Sequence, residues 1–132
     1  MKVLFVCTGN ACRSPLADAL LKKFRPDIDV DSAGTYPYHK VVDLTRRYAE
    51  QEGASEFLKT VPDGLQSKNL CSYDLIVALE TEHEQAIICQ SPECADNVVV
   101  WHIIDPYALP YKQASKTFDK IKSKVAHLAK TL

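Results

Sequence analysis

A single α/β domain, with a mostly parallel sheet covered by helices on both sides, is the fold class this chain predicts. Three observations carry that reading. Short β-like runs alternate with helically spaced segments along the 132 residues, the pattern of parallel strands joined by crossover helices. The first run, Val3-Leu4-Phe5-Val6, is apolar at every position, as a strand buried on both faces must be. No repeat, low-complexity tract or linker breaks the sequence, and its length is that of one ordinary domain.

The elements follow in order. Lys2–Cys7 is the first strand. Leu16, Leu20, Leu21 and Phe24 then recur as one apolar helical face. Residues 28–33 form the second strand, with Ile28 and Val30 ahead of small residues. Val41 to Glu52 is the second helix, carrying Val41, Leu44, Tyr48 and Ala49, with Gly53 as its stop. Residues 74–79, containing Leu75-Ile76-Val77, are the third strand. Thr81 to Ile88 is a short helix with Thr81 as cap and Glu84 three residues later. The fourth strand is Val98–Ile104. The final helix is the clearest, with Ala114, Phe118, Ile121, Val125, Leu128 and Leu132 at steps of four and three. Its lysines lie mostly off that stripe, on a solvated face.

The most informative stretch is Cys7-Thr8-Gly9-Asn10-Ala11-Cys12-Arg13-Ser14-Pro15. A thiol is followed, after five residues, by an arginine at the mouth of a helix. Backbone N–H groups of such a loop converge on one point, and the helix N-terminus and the guanidinium add positive charge. A tetrahedral oxyanion fits above the sulfur. The same charges favour the thiolate over the thiol, and the Ser14 hydroxyl is placed to donate to it. Thr8, Gly9, Asn10, Ala11, Cys12 and Ser14 are the expected phosphate-binding residues. Gly9 and Asn10 tolerate unusual backbone geometry, and Pro15 suits a first helical turn. An isolated cysteine is usually a buried core thiol; here six residue types fall together where an anion loop needs them.

In a parallel sheet, ligands bind beyond the C-terminal strand ends. The loop lies at one such end, and Asp105-Pro106-Tyr107 lies after another. Alone, Asp-Pro starts a turn. Beside the loop, the Asp105 carboxyl can protonate a leaving alkoxide or phenoxide and then deprotonate water.

Composition narrows the classes. A net charge of −1 argues against a nucleic-acid or anionic-membrane surface. No apolar run nears the roughly 20 residues of a membrane span. Five cysteines and no export signal predict free thiols in a reducing, cytoplasmic setting, with no disulfide framework. His39, His83, His102 and His127 are scattered and no Cys/His spacing suits zinc, so no metal site is expected.

With both halves of the site in place, the chain resembles the low-molecular-weight protein tyrosine phosphatases. The resemblance spans nearly the whole length: residues 6–15, Asp31-Ser32-Ala33-Gly34-Thr35, Tyr73-Asp74-Leu75-Ile76-Val77, and Asp105-Pro106-Tyr107. It implies a flavodoxin-like three-layer sandwich whose four-stranded parallel sheet runs in the order 2-1-3-4. It implies Cys7 as nucleophile, Arg13 as phosphate clamp, Asp105 as acid and then base, and Ser14 as thiolate stabiliser. It also implies a supporting hydrogen bond between Asn10 and Ser32. Cys12 matches a second cysteine that, in much of the family, forms a reversible disulfide with the nucleophile; the alternative is a small side chain packed under the loop. No cofactor is implied. The partner is a phosphotyrosine protein or peptide, and the expected state is a monomer or weak dimer.

The chain departs from that pattern in places. The stretch after Ser32 is short, so Tyr36 and Tyr38, with Tyr107 opposite, are the expected pocket walls. The histidine that often braces the loop in relatives maps near Leu65, which leaves that support missing. Ala11 replaces an isoleucine of many tyrosine-specific relatives and a threonine of a phosphoarginine-specific branch. Three functions compete: phosphotyrosine hydrolysis (with phosphoarginine hydrolysis as its variant), thioredoxin-coupled arsenate reduction with Cys89 and Cys94 as relay thiols, and phosphopeptide binding without turnover. Binding alone needs neither nucleophile nor acid.

Overall fold

The computed structural model describes all 132 residues. Four parallel strands, β1 (Lys2–Cys7), β2 (Asp29–Gly34), β3 (Leu75–Ala78) and β4 (Val98–Val100), form one sheet in the order β2-β1-β3-β4. Four α-helices flank it: α1 (Arg13–Phe24), α2 (Asp43–Gln51), α3 (Thr81–Gln90) and α4 (Tyr111–Thr131). Irregular stretches include 3-10 turns at Leu65–Ser67, Leu70–Ser72 and Pro92–Asn97.

The apolar first strand is explained by its central place. Val3, Phe5 and Cys7 point into a core with α1, α2 and α4, while Leu4 and Val6 face a smaller core with Ile76, Ala78, Leu70 and Ile87. All four residues from Val3 to Val6 are fully buried, so period-two alternation vanishes. The α4 stripe of Phe118, Ile121 and Val125 is also fully buried, against α1 and the sheet.

Several boundaries differ from the sequence reading. The fourth strand ends at Val100, and Ile103-Ile104 lies outside it. Trp101 and Ile103 still donate to Ala78 and Leu79, but His102 between them has a φ of 56°, which no regular strand accommodates. The N-cap of α3 is Glu80, not Thr81, and position N3 is His83, whose Nδ1 accepts from the Glu80 N–H. Gly53 does terminate α2, with a φ of 67° and its N–H on the Glu50 carbonyl.

Five free thiols are not what the fold contains. The Cys71 and Cys94 sulfurs lie at bonding distance, and that disulfide joins the turns that precede β3 and β4. Residues 71 and 94 sit on adjacent connections of a folded sheet, a proximity that spacing along the chain does not reveal. Cys7, Cys12 and Cys89 are free.

Candidate active site

The loop from Cys7 to Arg13 joins β1 to α1 and is buried from Gly9 onwards. Five of its carbonyls are occupied by one following segment. Cys7, Thr8, Gly9 and Ala11 accept from the N–H groups of Thr35, Tyr36, Tyr38 and Val42, and Cys12 accepts from the Thr45 hydroxyl. The amides of Thr8 to Cys12 donate to no protein carbonyl. A ring of buried N–H groups without partners calls for an anion. Asn10 takes the left-handed conformation, φ 49°, that aims the ring inward.

Arg13 is the largest fully buried side chain of the molecule. Its Nη1 donates to the Ile103 carbonyl at 2.8 Å and pairs with Glu80. Its Nη2 lies 3.5 Å from Thr8 Oγ1 and 3.8 Å from Asp105 Oδ2. Its buried Nε has no partner in the protein. This leaves a donor of the guanidinium for an oxyanion.

The sulfur has a one-way hydrogen-bond supply. Asn10 Oδ1 accepts from the Asp63 N–H at 2.8 Å and the Lys59 ammonium at 3.0 Å, which fixes the amide orientation. Asn10 Nδ2 therefore donates to Ser14 Oγ at 2.8 Å, and the Ser14 proton points to Cys7 Sγ, 2.9 Å away. The Ser14 N–H approaches the same sulfur at 3.5 Å.

Cys7, Gly9, Ala11, Cys12, Arg13, Tyr38, Asp105 and Tyr107 line one pocket. The Tyr38 and Tyr107 rings meet edge to face with centroids 5.6 Å apart. A Cβ on Gly9 would come within 2.8 Å of the Tyr38 ring, so Tyr38 lies flat over the loop. Asp105 Oδ1 accepts from the Tyr107 N–H at 3.0 Å, which holds the carboxylate at the rim. Burial pushes the Cys12 thiol up to about 12, so Cys12 is a neutral thiol.

Three sequence expectations are corrected. Tyr36 is 76% exposed and lines a separate groove with Leu65, Ala86 and Cys89; its N–H serves the loop, and its ring does not. Asn10 and Ser32 do not bond side chain to side chain. Ser32 Oγ donates to Asp18 Oδ2 at 2.8 Å, and the Ser32 carbonyl meets Asn10 only through Lys59. A histidine brace is present after all, from a different element. His83 Nε2 lies 2.9 Å from Thr8 Oγ1. Its Nδ1 is occupied as an acceptor, so the neutral ring donates through Nε2. Burial, with the Arg13 charge beside it, lowers its pKa to about 4.

Residue reading also missed Glu80, Lys59, Asp63 and Gly34. Glu80 had a signal: like Asp105 it follows the C-terminal end of a strand. Gly34 stood inside the Asp31-to-Thr35 motif without a role of its own; a Cβ there would stand 2.6 Å from the Thr8 carbonyl oxygen and 2.7 Å from the Asn10 nitrogen.

Fold and site together define a class: a parallel α/β protein presenting a thiol-floored anion loop at the C-terminal edge of its sheet. Residues 2–132 match the model of the family described as low molecular weight phosphotyrosine protein phosphatase, and the chain belongs to that family. A relative is the low molecular weight protein-tyrosine-phosphatase Wzb of Salmonella typhi, 32% identical over 91% of this chain and 83% of its own. Another is the protein-arginine-phosphatase of Bacillus subtilis, 28% identical over 100% and 97%. Among solved structures, Vibrio vulnificus Wzb in complex with benzylphosphonate superposes with a TM-score of 0.90, at 25% identity over 99% of this chain and 98% of that one.

Proposed function

We propose that this chain hydrolyses aryl phosphate monoesters, with protein phosphotyrosine as substrate class, through a cysteinyl-phosphate intermediate. The observation that carries the reading is the meeting, in one narrow pocket, of Cys7 Sγ, the open Nε of Arg13 and the Asp105 carboxyl. The phosphoryl oxygens take the loop amides and Arg13. Cys7 attacks phosphorus, the P–O bond to the leaving group breaks, and Asp105 gives that oxygen its proton. Asp105, now ionised, takes a proton from water; the resulting hydroxide attacks phosphorus, the P–S bond breaks, and phosphate and thiolate are released. Ser14 stabilises the sulfur anion before attack and on departure.

The two tyrosines support an aryl group over a shorter alkyl one. A phenyl ring entering between Tyr38 and Tyr107 replaces their mutual contact with two of its own. Tyr36 has no part in this pocket. Phosphoarginine hydrolysis is the second reading, favoured by the B. subtilis relative. Arsenate reduction loses its relay: Cys94 is paired with Cys71, and Cys89 stands on α3 outside the pocket. As a redox reserve, a Cys7 sulfenic acid formed by peroxide condenses with the Cys12 thiol and releases water.

Turnover of an aryl phosphate without added metal is the test. Cys7→Ser abolishes it, and Asp105→Ala lowers kcat by about 10²- to 10⁴-fold. Activity retained in Cys7→Ser sinks the mechanism. Phosphotyrosine and phosphoarginine peptides, compared by kcat/KM on one sample, decide the substrate class.

A further inference from the structure

Between the strand end of β2 and the phosphate loop lies a compact group of charges that the reaction does not use. Lys59 is at its centre, 13% exposed. Its ammonium donates to Asn10 Oδ1 at 3.0 Å, the Ser32 carbonyl at 2.9 Å and Asp63 Oδ2 at 2.8 Å, with Asp31 Oδ1 at 3.7 Å. Lys68 completes the group by pairing with Asp31 at 2.6 Å and Asp63 at 3.2 Å. Asp18, buried beneath Ser32, also faces it. Both lysines neutralise the same two carboxylates, yet Lys59 alone touches Asn10.

We infer that Lys59 is a positioning residue for the nucleophile, acting through Asn10 and Ser14 on Cys7. The inference rests on the reading of Cys7 as nucleophile. Two effects run along this chain of contacts. The ammonium and the Asp63 N–H leave Asn10 Oδ1 no other role than acceptor, so Nδ2 must face Ser14 and the Ser14 proton must face the sulfur. The ammonium charge beside Oδ1 also draws electron density from the amide, which strengthens Nδ2 as donor and, cooperatively, Ser14 as donor to the sulfur. Lys59 thereby couples residues 59–63, an irregular segment far along the chain, to the charge state of Cys7. No residue of the loop itself supplies this charge.

The experiment compares wild type, Lys59→Met, Lys59→Arg and Lys68→Met in two assays. One is steady-state turnover of an aryl phosphate. The other is the pH dependence of alkylation by iodoacetamide at the Cys7 peptide, followed by mass spectrometry because the exposed Cys89 reacts as well. Lys59→Met is expected to lower kcat about tenfold with KM within about twofold, the split of an interaction felt by the reacting atom. Its alkylation profile moves to higher pH, and Lys59→Arg restores most of both. Lys68→Met loses thermal stability but keeps the wild-type alkylation profile. In an Asn10→Ala background, Lys59→Met changes alkylation no further, because the route through Asn10 is already cut. An unchanged profile in Lys59→Met, an equal shift in Lys68→Met, or additive effects in the Asn10→Ala background each overturn the inference. Should Lys59→Met fail to fold, Lys59→Gln, neutral but still a donor, is read in the same way. A wild-type protein that alkylates at Cys7 yet turns over no phosphate overturns the proposed function and still reports on Lys59.

Discussion

Gly34 shows how little room surrounds the phosphate loop. Its Cα lies against the backbone of Thr8, Gly9 and Asn10, with a Cβ 2.6–2.8 Å from three backbone atoms. Backbone cannot swing aside as a side-chain end can. Gly34→Ala is expected to cost about 1–3 kcal/mol, in the range of overpacked sites, and to lower kcat with it; equal urea midpoints for variant and wild type contradict this. His83 sets a second residue-level expectation. Its folded pKa of about 4 lies below the ordinary value of 6.5. Between these values the unfolded chain binds the proton and the native state does not. Stability from the neutral ring is thus full above about pH 6.5, falls as pH drops towards 4, and changes no further below that. The loss approaches roughly 3 kcal/mol at about 1.4 kcal/mol per unit. Urea unfolding at several pH values checks it, and a His83→Gln variant should show a flatter profile over that window. Asp31 and Asp63, held below the usual carboxylate range by their lysines despite partial burial, act lower. Their contribution is present above the ordinary aspartate value and fades as pH falls through their depressed ones.

At the scale of elements, β1 and α4 were the most legible and β4 the least. A strand apolar on both faces and a helix with a single stripe carry their burial in their own composition. Phe118 illustrates the second case: it is fully buried on α4 and packs on Tyr48 of α2, ring centroids 5.2 Å apart. Phe118→Ala is expected to cost about 3–5 kcal/mol, read as a lower urea midpoint. A loss below about 1 kcal/mol would show that the α4 stripe is not core. The end of β4 was misread because Ile103 and Ile104 look like strand residues. The ladder is broken there by His102, and the bend delivers the Ile103 carbonyl to Arg13. α3 begins at Thr81 as expected, but its cap is one residue earlier, at Glu80. Glu80 and His83 are placed by Arg13 and Thr8, partners that no local pattern names.

At the scale of the whole molecule, the proposed active site and the cross-link occupy opposite ends of the sheet. The anion loop and Asp105 lie beyond the C-terminal strand ends, while Cys71–Cys94 ties connections that enter β3 and β4. The bridge spans 23 residues, and closing a loop of that size contributes roughly 3 kcal/mol in the chain-entropy account. Reduction, or Cys71→Ser, should therefore lower Tm by several degrees and leave kcat/KM for an aryl phosphate unchanged at room temperature. A parallel loss of activity would mean that the two ends are coupled.

The fold class, the nine-residue anion loop and the pairing of that loop with Asp105 were all legible in the residues alone. Each depends on contiguous residues or on the rule that parallel strands present their C-terminal ends together. Which tyrosine walls the pocket, where Ser32 points, that His83 braces Thr8 and that Cys71 meets Cys94 came from the folded chain. It also placed Lys59 on Asn10. Those are contacts between segments tens of residues apart, made by side chains whose direction is set by packing, and one-dimensional spacing holds no record of them.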